Sequence, residues 1–166
     1  MRRAVERRGA IDAVITQNVD RLHARAGTQQ LIELHGSIAT SSCLACGARH
    51  PLEEVRRRLA ADPEGVPRCD CGRPLKPDVV LFGEYLPAGA LECAEALAGR
   101  AELLVCVGSS LEVHPAAGLA STTLAAGGEV ALVTQGPTPY DREALLKLDG
   151  DVVQELAALV EALGRA

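Results

Sequence analysis

Aromatic residues are scarce in this chain. They account for 2% of its 166 residues, and tryptophan is absent. The interior must therefore be built from aliphatic side chains, and a hydrophobic content of 48% is sufficient for one sizeable core. Charged residues make up 23%, a share typical of globular proteins and not of disordered chains. This composition favours helices packed on a parallel sheet.

Long apolar runs, clustered basic residues and a secretory leader are also missing from the sequence. The run Leu103–Val107 is one of the longest apolar stretches, and it is far shorter than the roughly 20 residues that cross a bilayer as a helix. The net charge is −5 and Lys and Arg are scattered, so no basic stripe is predicted to follow a phosphate backbone. No apolar segment follows Met1-Arg2-Arg3. We expect a cytoplasmic protein that binds neither nucleic acid nor membranes.

Two short apolar segments each end in polar side chains. Residues 11–15 are rich in β-branched residues and lead into Thr16-Gln17-Asn18-Val19-Asp20, and residues 31–34 lead into His35. Because the carboxyl ends of parallel strands meet at a ligand-binding crevice, these polar residues are predicted to converge there. In the alternative interpretation, Asn18 and Asp20 only cap the next helix, and His35 is a structural histidine.

Four of the six cysteines form two close pairs. Cys43 and Cys46 are separated by two residues, and Cys69 and Cys71 by one. Four thiolates in two turns match the tetrahedral set that structural Zn²⁺ prefers, and they leave no open position for catalysis. Four free thiols are the alternative. The remaining two cysteines are predicted to be small buried residues, Cys93 in a helix and Cys106 in a strand.

Apolar strands alternate with helices along most of the chain. This rhythm predicts an α/β fold with a doubly wound, Rossmann-like parallel sheet. The predicted strands are residues 11–15, 30–34, 79–82, 103–107 and 130–133. The predicted helices are residues 2–8, 20–26, 52–61, 88–98, 115–126 and 152–163. Small polar residues, glycine and the cysteine pairs dominate residues 37–75, so we expect an inserted zinc-ribbon module there and a main domain formed by residues 1–36 and 76–166.

Five sequence blocks together resemble the sirtuin family of NAD-dependent protein deacylases. They occur in the family's order: Thr16-Gln17-Asn18-Val19-Asp20-Arg21-Leu22-His23, Leu34-His35-Gly36-Ser37, the four spaced cysteines, Lys76-Pro77-Asp78-Val79-Val80-Leu81-Phe82-Gly83-Glu84, and Gly108-Ser109-Ser110-Leu111-Glu112-Val113-His114-Pro115-Ala116-Ala117. The resemblance implies NAD as cofactor, one structural Zn²⁺ bound by the four cysteines, and an acyl-lysine protein or peptide as substrate. It also implies transfer of the acyl group to ADP-ribose with release of nicotinamide.

The resemblance also implies roles for individual residues. His35 is expected to be the general base, because an imidazole can accept a proton near neutral pH, and Asn18 and Asp20 are expected to be catalytic with it. The implied cofactor contacts are Gln17, Asn18, Val19, Asp20 and His35 near nicotinamide and its ribose, and Gly108, Ser109, Ser110, Thr134, Asp151 and Val152 near adenosine. The acyl-lysine peptide is expected to pair as an added strand. The residues implied for that contact are Val80, Leu81, Phe82, Gly83, Glu84 and Val113.

One part of the family pattern does not occur in the sequence. Sirtuins begin with a strand and a glycine-rich turn, Gly-Ala-Gly-Ile-Ser, that holds the pyrophosphate, and this first strand is central in the order 3-2-1-4-5-6. We therefore expect an N-terminally truncated fold, and little or no deacylase activity from the 166 residues alone. A catalytically inactive sirtuin-like zinc-ribbon protein that binds partners is the alternative function.

Overall fold

A computed structural model describes residues 11–165, so the helix predicted at residues 2–8 lies outside the described residues. The strands in chain order are β1 Val14–Thr16, β2 Leu31–Glu33, β3 Gly36–Cys43, β4 Arg49–Pro51, β5 Leu75–Val79, β6 Leu103–Val107, β7 Glu129–Val133 and β8 Leu146–Leu148. The helices are α1 Leu22–Arg25, α2 Leu52–Ala61, α3 Ala90–Ala98, α4 Gly118–Ala125 and α5 Val152–Arg165.

Two parallel sheets carry most of the fold. β1 pairs with β2, and β7 lies between β6 and β8. Helix α4 connects β6 to β7 and lies against both, as a parallel crossover requires, and α3, which leads from β5 into β6, lies against β2. The α/β class predicted from the alternating pattern is confirmed.

A third sheet is antiparallel and has the order β4-β3-β5. β3 is eight residues long and pairs with β4 through Ser41↔His50 and with β5 through Cys43↔Leu75. Helix α2 packs against β3 and β4. The cysteine pairs lie at the end of this sheet: Cys43 ends β3 and Cys46 lies in the turn after it, while Cys69 and Cys71 lie in the turn before β5.

The two parallel sheets share an aliphatic core, and the antiparallel sheet has a separate one. One cluster of the main core contains Leu34, Ala94, Ala98, Ala116 and Leu119, with Ile15, Ile32 and Leu104 packed against it. The next contains Leu111, Ala117, Ala120, Val130 and Leu132, and Leu104 contacts this cluster as well. The third contains Cys43, Val55, Cys69 and Leu75. Small side chains on α3 and α4 allow close packing where aromatic residues are scarce.

The prediction of a strand at residues 79–82 is wrong. Strand pairing ends at Val79, the last residue of β5, and that strand is antiparallel to β3 instead of part of a parallel sheet. The next residues turn back, because the Leu81 N–H donates to the Glu84 side chain. Leu81 and Phe82 are 55% and 102% exposed, so their apolar character did not indicate burial.

Several smaller predictions also differ from the structure. Helix α4 begins at Gly118 and not at residue 115, because residues 115–117 form short turns, one closed by a 2.9 Å bond from the Gly118 N–H to the Pro115 carbonyl. The strands β3, β4 and β8 were not predicted; most residues of β3 are small, and no apolar alternation reveals it. Cys106 lies in β6 as predicted and is half-buried, whereas Cys93 lies in α3 but is exposed.

The described helices give no sign of a membrane span. Among residues 11–165, every helix is too short or too polar to cross a bilayer.

Candidate functional site

The carboxyl ends of β1 and β2 lie side by side. Their register pairs Thr16 with Glu33, and the Leu34 N–H donates to the Thr16 carbonyl at 2.9 Å. Leu34 itself is 1% exposed and anchors the end of β2 in the core. The residues that follow each strand, from Gln17 and from His35, therefore leave the sheet at the same edge, as the sequence predicted.

His35 is oriented by the backbone of the neighbouring strand end. Its Nδ1 lies 3.2 Å from the Gln17 carbonyl oxygen. A carbonyl can only accept a hydrogen bond, so Nδ1 carries the proton and Nε2 keeps its lone pair. The His35 carbonyl accepts the Val80 N–H at 2.9 Å, which ties the histidine to the segment after β5. The half-buried imidazole is thus held in the tautomer that a general base needs.

The residues between β1 and α1 form a structured turn with polar side chains at its surface. The Asn18 N–H donates to Thr16 Oγ1 at 3.1 Å, and the Ile38 N–H donates to the Val19 carbonyl at 3.1 Å. Asp20 Oδ1 accepts the Leu22 N–H at 2.9 Å, so this carboxylate does support the start of α1, as the alternative interpretation proposed. Asn18 and Asp20 are exposed, while Gln17 and Val19 are half-buried.

Gly36 allows β3 to begin immediately after His35. Its φ is +69°, and a Cβ at this position would lie 2.2 Å from the Asp78 carbonyl oxygen. Only glycine combines this backbone conformation with such a close approach to β5. The position of His35 therefore depends on the contact between β3 and β5.

The ends of β6 and β7 form a second polar edge. The Gly108 N–H donates to the Val133 carbonyl at 2.9 Å, and the Thr134 N–H donates to the Leu148 carbonyl at 3.0 Å. Gly108 has a φ of +61° and open space where a side chain would be. Ser109 Oγ accepts the Leu111 N–H at 3.2 Å, and the neighbouring Ser110 is exposed. Thr134 is buried.

Asp151 caps helix α5. Its Oδ1 accepts the N–H groups of Val153 at 3.0 Å and of Gln154 at 3.1 Å. Val152, the first residue of α5, is half-buried. Asp151 therefore has a structural role in addition to any contact with a ligand.

Lys76 shapes the segment predicted to contact a peptide. Its Nζ lies 2.9 Å from the Val79 carbonyl oxygen and 2.9 Å from Glu84 Oε2, and this carboxylate also accepts the Leu81 N–H at 2.9 Å. The Leu81 N–H, followed by Lys76, lowers the pKa of Glu84. Sequence reasoning missed Lys76. Val113, also predicted to contact the peptide, is 48% exposed and precedes α4.

The four paired cysteines converge on one point. Their Sγ atoms all lie within 4.8 Å of one another, with Cys43 and Cys71 at 3.5 Å and Cys46 and Cys69 at 3.6 Å. A tetrahedral zinc–thiolate site with bonds of about 2.3 Å places its sulfurs about 3.8 Å apart. The set fits a structural Zn²⁺ site, as predicted from the spacing.

Backbone donors prepare these thiols for a cation. The Cys71 N–H, followed by the His50 side chain, lowers the pKa of Cys69 to about 6. The Cys46 N–H lowers the pKa of Cys43. For Cys46 the Ala48 N–H acts in the same direction, but the neighbouring cysteines raise its pKa to about 12. The crowding of the four sulfurs opposes ionisation of Cys46, and a bound divalent cation would remove that opposition.

A polar network extends from the buried His50 to the surface beside the cysteines, and sequence reasoning did not find it. His50 Nδ1 is 3.1 Å from Glu54 Oε1, Arg58 Nε is 2.9 Å from the same oxygen, and Arg58 Nη2 reaches Asp70 Oδ1 at 2.8 Å. The four-residue spacing of His50, Glu54 and Arg58 is a signal that could have identified it.

Comparisons with known proteins agree on one family. The profile of the Sir2 family matches residues 2–115. An NAD-dependent protein deacetylase of Thermotoga maritima is 44% identical over 96% of this chain and 65% of its own length. An NAD-dependent protein deacylase of Thermus thermophilus is 43% identical over 96% of this chain and 61% of its own length. The chain therefore spans less than two thirds of these relatives.

Solved structures give the same result. A Sir2 protein with a p53 peptide and NAD⁺ superposes with a TM-score of 0.91 at 43% identity, covering 98% of this chain and 68% of the other. A Sir2 protein bound to an acetylated peptide gives a TM-score of 0.91 at 42% identity over the same shares of the two chains.

Proposed function

Because this chain belongs to the Sir2 family, we propose that its protein is an NAD-dependent protein-lysine deacylase, acting by default on acetyl-lysine. The acyl group is transferred to ADP-ribose and nicotinamide is released. The observation that carries the proposal is the bond between His35 Nδ1 and the Gln17 carbonyl, which leaves Nε2 able to accept a proton at the edge where two strands end.

Both strand edges have features that suit a dinucleotide. Gly108 leaves open space for a ligand beside the backbone, and the exposed Ser110 and half-buried Ser109 carry hydroxyl groups. Thr134 has a third hydroxyl group, which is buried. The residues we assign to the adenosine part are Gly108, Ser109, Ser110, Thr134, Asp151 and Val152. Those we assign to nicotinamide and its ribose are Gln17, Asn18, Val19, Asp20 and His35. When bound, NAD supplies the ribose carbon that accepts the acyl oxygen and the nicotinamide leaving group.

His35 is the proposed general base. Its Nε2 takes the proton from a ribose hydroxyl, which makes that oxygen nucleophilic toward the acyl carbon. The Gln17 carbonyl stabilises the imidazolium that results, because it accepts the Nδ1 hydrogen. Asn18 and Asp20 are the proposed catalytic partners, which orient the ribose from the adjacent exposed turn.

The acyl-lysine peptide is proposed to bind beside the segment Val80, Leu81, Phe82, Gly83 and Glu84, with Val113 nearby. This segment begins at the bond between the Val80 N–H and the His35 carbonyl. A substrate lysine side chain that lies along the segment therefore points toward His35. Leu81 and Phe82 are exposed and can cover the apolar stem of that side chain. Strand pairing ends at Val79, and the Val80 carbonyl and the Phe82 backbone beyond it can pair with a peptide.

The zinc site is proposed to be structural and to hold a separate module. All four ligands are cysteines, and the antiparallel sheet and its hydrophobic cluster lie between Gly36 and Val79. This supports the division into a module at residues 37–75 and a main domain at residues 1–36 and 76–166. We propose a cytoplasmic location.

The test is deacylation by the full-length gene product that contains these residues. Incubation with an acetyl-lysine peptide and NAD should release nicotinamide and deacetylated peptide in equal amounts. His35→Gln and Asn18→Ala should each reduce kcat by about 100-fold or more, the scale of general base catalysis, while zinc content and thermal stability stay unchanged. Peptide binding without nicotinamide release would instead favour an inactive binding protein. Activity retained by His35→Gln would remove His35 from the role of base.

A further inference from the structure

His50 is the most buried histidine among the described residues, and it lies beside the cysteine cluster. It is 6% exposed and belongs to β4, where it pairs with Ser41 of β3. The hydrophobic cluster beside the same sheet contains Val55, Cys69 and Leu75. Nothing in the proposed deacylase reaction uses this side chain.

One nitrogen of the ring is firmly bound. His50 Nδ1 lies 3.1 Å from Glu54 Oε1, and Arg58 Nε holds the same carboxylate oxygen at 2.9 Å. Arg58 is fixed in turn by the Arg68 carbonyl at 2.8 Å. Because the carboxylate accepts, Nδ1 of His50 donates, and the ring cannot turn without breaking this chain of bonds.

The other nitrogen lacks a partner. Nε2 of His50 is the one buried side-chain nitrogen or oxygen without a hydrogen bond among the described residues. A buried polar group without a partner is costly, and native proteins contain few of them. Nδ1 faces Glu54, and Arg58, which holds that carboxylate, also contacts both neighbours of Cys69: the Arg68 carbonyl at 2.8 Å and Asp70 Oδ1 at 2.8 Å. This places the His50 ring beside Cys69 with Nε2 as its free nitrogen.

We infer that His50 is an outer partner of the metal site: its Nε2–H donates a hydrogen bond to the Cys69 sulfur, and Glu54 holds the ring in position. The inference rests on the metal site and not on the deacylase reaction. Four thiolates around a divalent cation carry a net charge of about −2. Cys69 is buried and cannot share that charge with water, so it depends on donors from the protein; the Cys71 N–H is one, and His50 is the second. The ring donates from both nitrogens, since a carboxylate and a thiolate both accept.

Zinc affinity is the first readout. In the full-length protein, competition with a chromophoric chelator should show about tenfold or greater weakening for His50→Phe, the scale found when partners of metal ligands are removed. His50→Gln, which keeps an N–H donor, should recover part of the loss. Glu54→Gln should weaken binding, whereas Glu53→Gln, on the same helix but with its side chain 79% exposed, should not. Equal affinities of wild type, His50→Phe and Glu54→Gln would overturn the inference.

A measurement on the unmutated protein keeps the inference testable if His50→Phe does not fold. After exchange of zinc for ¹¹³Cd and labelling of histidine with ¹⁵N, the Hε2 proton of His50 should show scalar coupling to the metal through the hydrogen bond to sulfur. A metal-loaded protein whose His50 shows no Hε2 proton and no coupling would overturn the inference while leaving the metal site intact. Wild-type protein that binds neither zinc nor cadmium would overturn both the inference about His50 and the proposed metal site.

Discussion

The Lys76 ammonium group lies 2.9 Å from the Glu84 carboxylate and 2.9 Å from the Val79 carbonyl oxygen, so one side chain closes both ends of a six-residue loop. Glu84 completes the arrangement by accepting the Leu81 N–H. These contacts take the place of strand pairing, which ends at Val79. They hold the segment that we propose for peptide binding in shape before a peptide arrives, and preorganisation of this kind lowers the entropic cost of binding.

Replacing Glu84 with glutamine should loosen this loop in a pH-dependent way. The pKa of Glu84 is lowered in the folded protein, so its contribution is present above the unfolded carboxyl pKa and disappears as the pH falls through the folded value. At pH 7 the Leu81 amide should exchange on the order of threefold faster in Glu84→Gln than in wild type, the scale of an exposed ion pair. Hydrogen exchange followed by NMR measures this ratio.

The ratio should approach one at a pH below the folded pKa of Glu84, where the protonated Glu84 of wild type is as uncharged as the glutamine of the variant. Glu95→Gln, an exposed change in α3, is the control and should leave Leu81 exchange unaltered. A Leu81 ratio that does not change between acid and neutral pH would show that the Glu84 charge does not hold the loop.

Gly36→Ala should destabilise the protein more than Gly65→Ala. Both glycines have nearly the same left-handed backbone, with φ of +69° and +67°, so both substitutions incur about 1–2 kcal/mol from the backbone conformation. Only at Gly36 would the new methyl group meet backbone, at 2.2 Å from the Asp78 carbonyl oxygen. We expect a further loss of about 1–3 kcal/mol from this overlap, measured by urea unfolding.

The two glycine variants also separate stability from function. Because Gly36 follows His35, Gly36→Ala should reduce deacylation even at temperatures where the variant is folded, and Gly65→Ala should not. Equal stability of the two variants would mean that β3 and β5 can separate at little cost.

Removal of zinc should unfold the module locally and leave the parallel sheets in place. Metal analysis of purified protein should give about one Zn²⁺ per chain, because four cysteines close a single tetrahedral site. The double variant Cys69→Ser with Cys71→Ser should lose the metal, and amides of β3, β4 and β5 should then exchange faster, since metal binding supplies folding free energy. Cys93→Ser, at an exposed cysteine outside the cluster, should retain full zinc content. Folded wild type without zinc would contradict this prediction.

Thr123→Val should destabilise the packing of α4 on α3. Thr123 is completely buried, and its hydroxyl donates to the Ala98 carbonyl at 2.9 Å across the helix pair. Valine preserves the shape but removes the Thr123 donor and leaves the Ala98 carbonyl with only the longer 3.3 Å bond from the Ala101 N–H, so we expect a loss of about 1 kcal/mol in urea unfolding. Thr122→Val is the matched control, because the Thr122 hydroxyl bonds only within its own helix, to the Gly118 carbonyl. Similar losses for the two would indicate that the inter-helix bond contributes little.

Local features of the sequence were sufficient for the metal site and for the edge that carries His35. Two cysteines in each of two turns predict one tetrahedral site, because the turn itself brings each pair together. The polar residues after two apolar segments predict a common edge, because parallel strands end on the same side of a sheet. Both predictions depend on spacing along the chain and on general rules of sheet geometry, which a single sequence contains.

Tertiary structure decided the features that depend on partners distant in sequence. The apolar pattern of residues 79–82 predicted a strand, but strand pairing requires a neighbour, and β3 pairs only as far as Val79. In the same way β3 itself is a strand because β4 and β5 lie on its two sides, although most of its side chains are small. The tautomer of His35 depends on the carbonyl of Gln17, and the burial of His50 depends on strand pairing with Ser41 and on the cysteine turns. Hydrogen bonds of this kind follow from the position of backbone groups in space, and residue types along the chain do not specify which groups will meet.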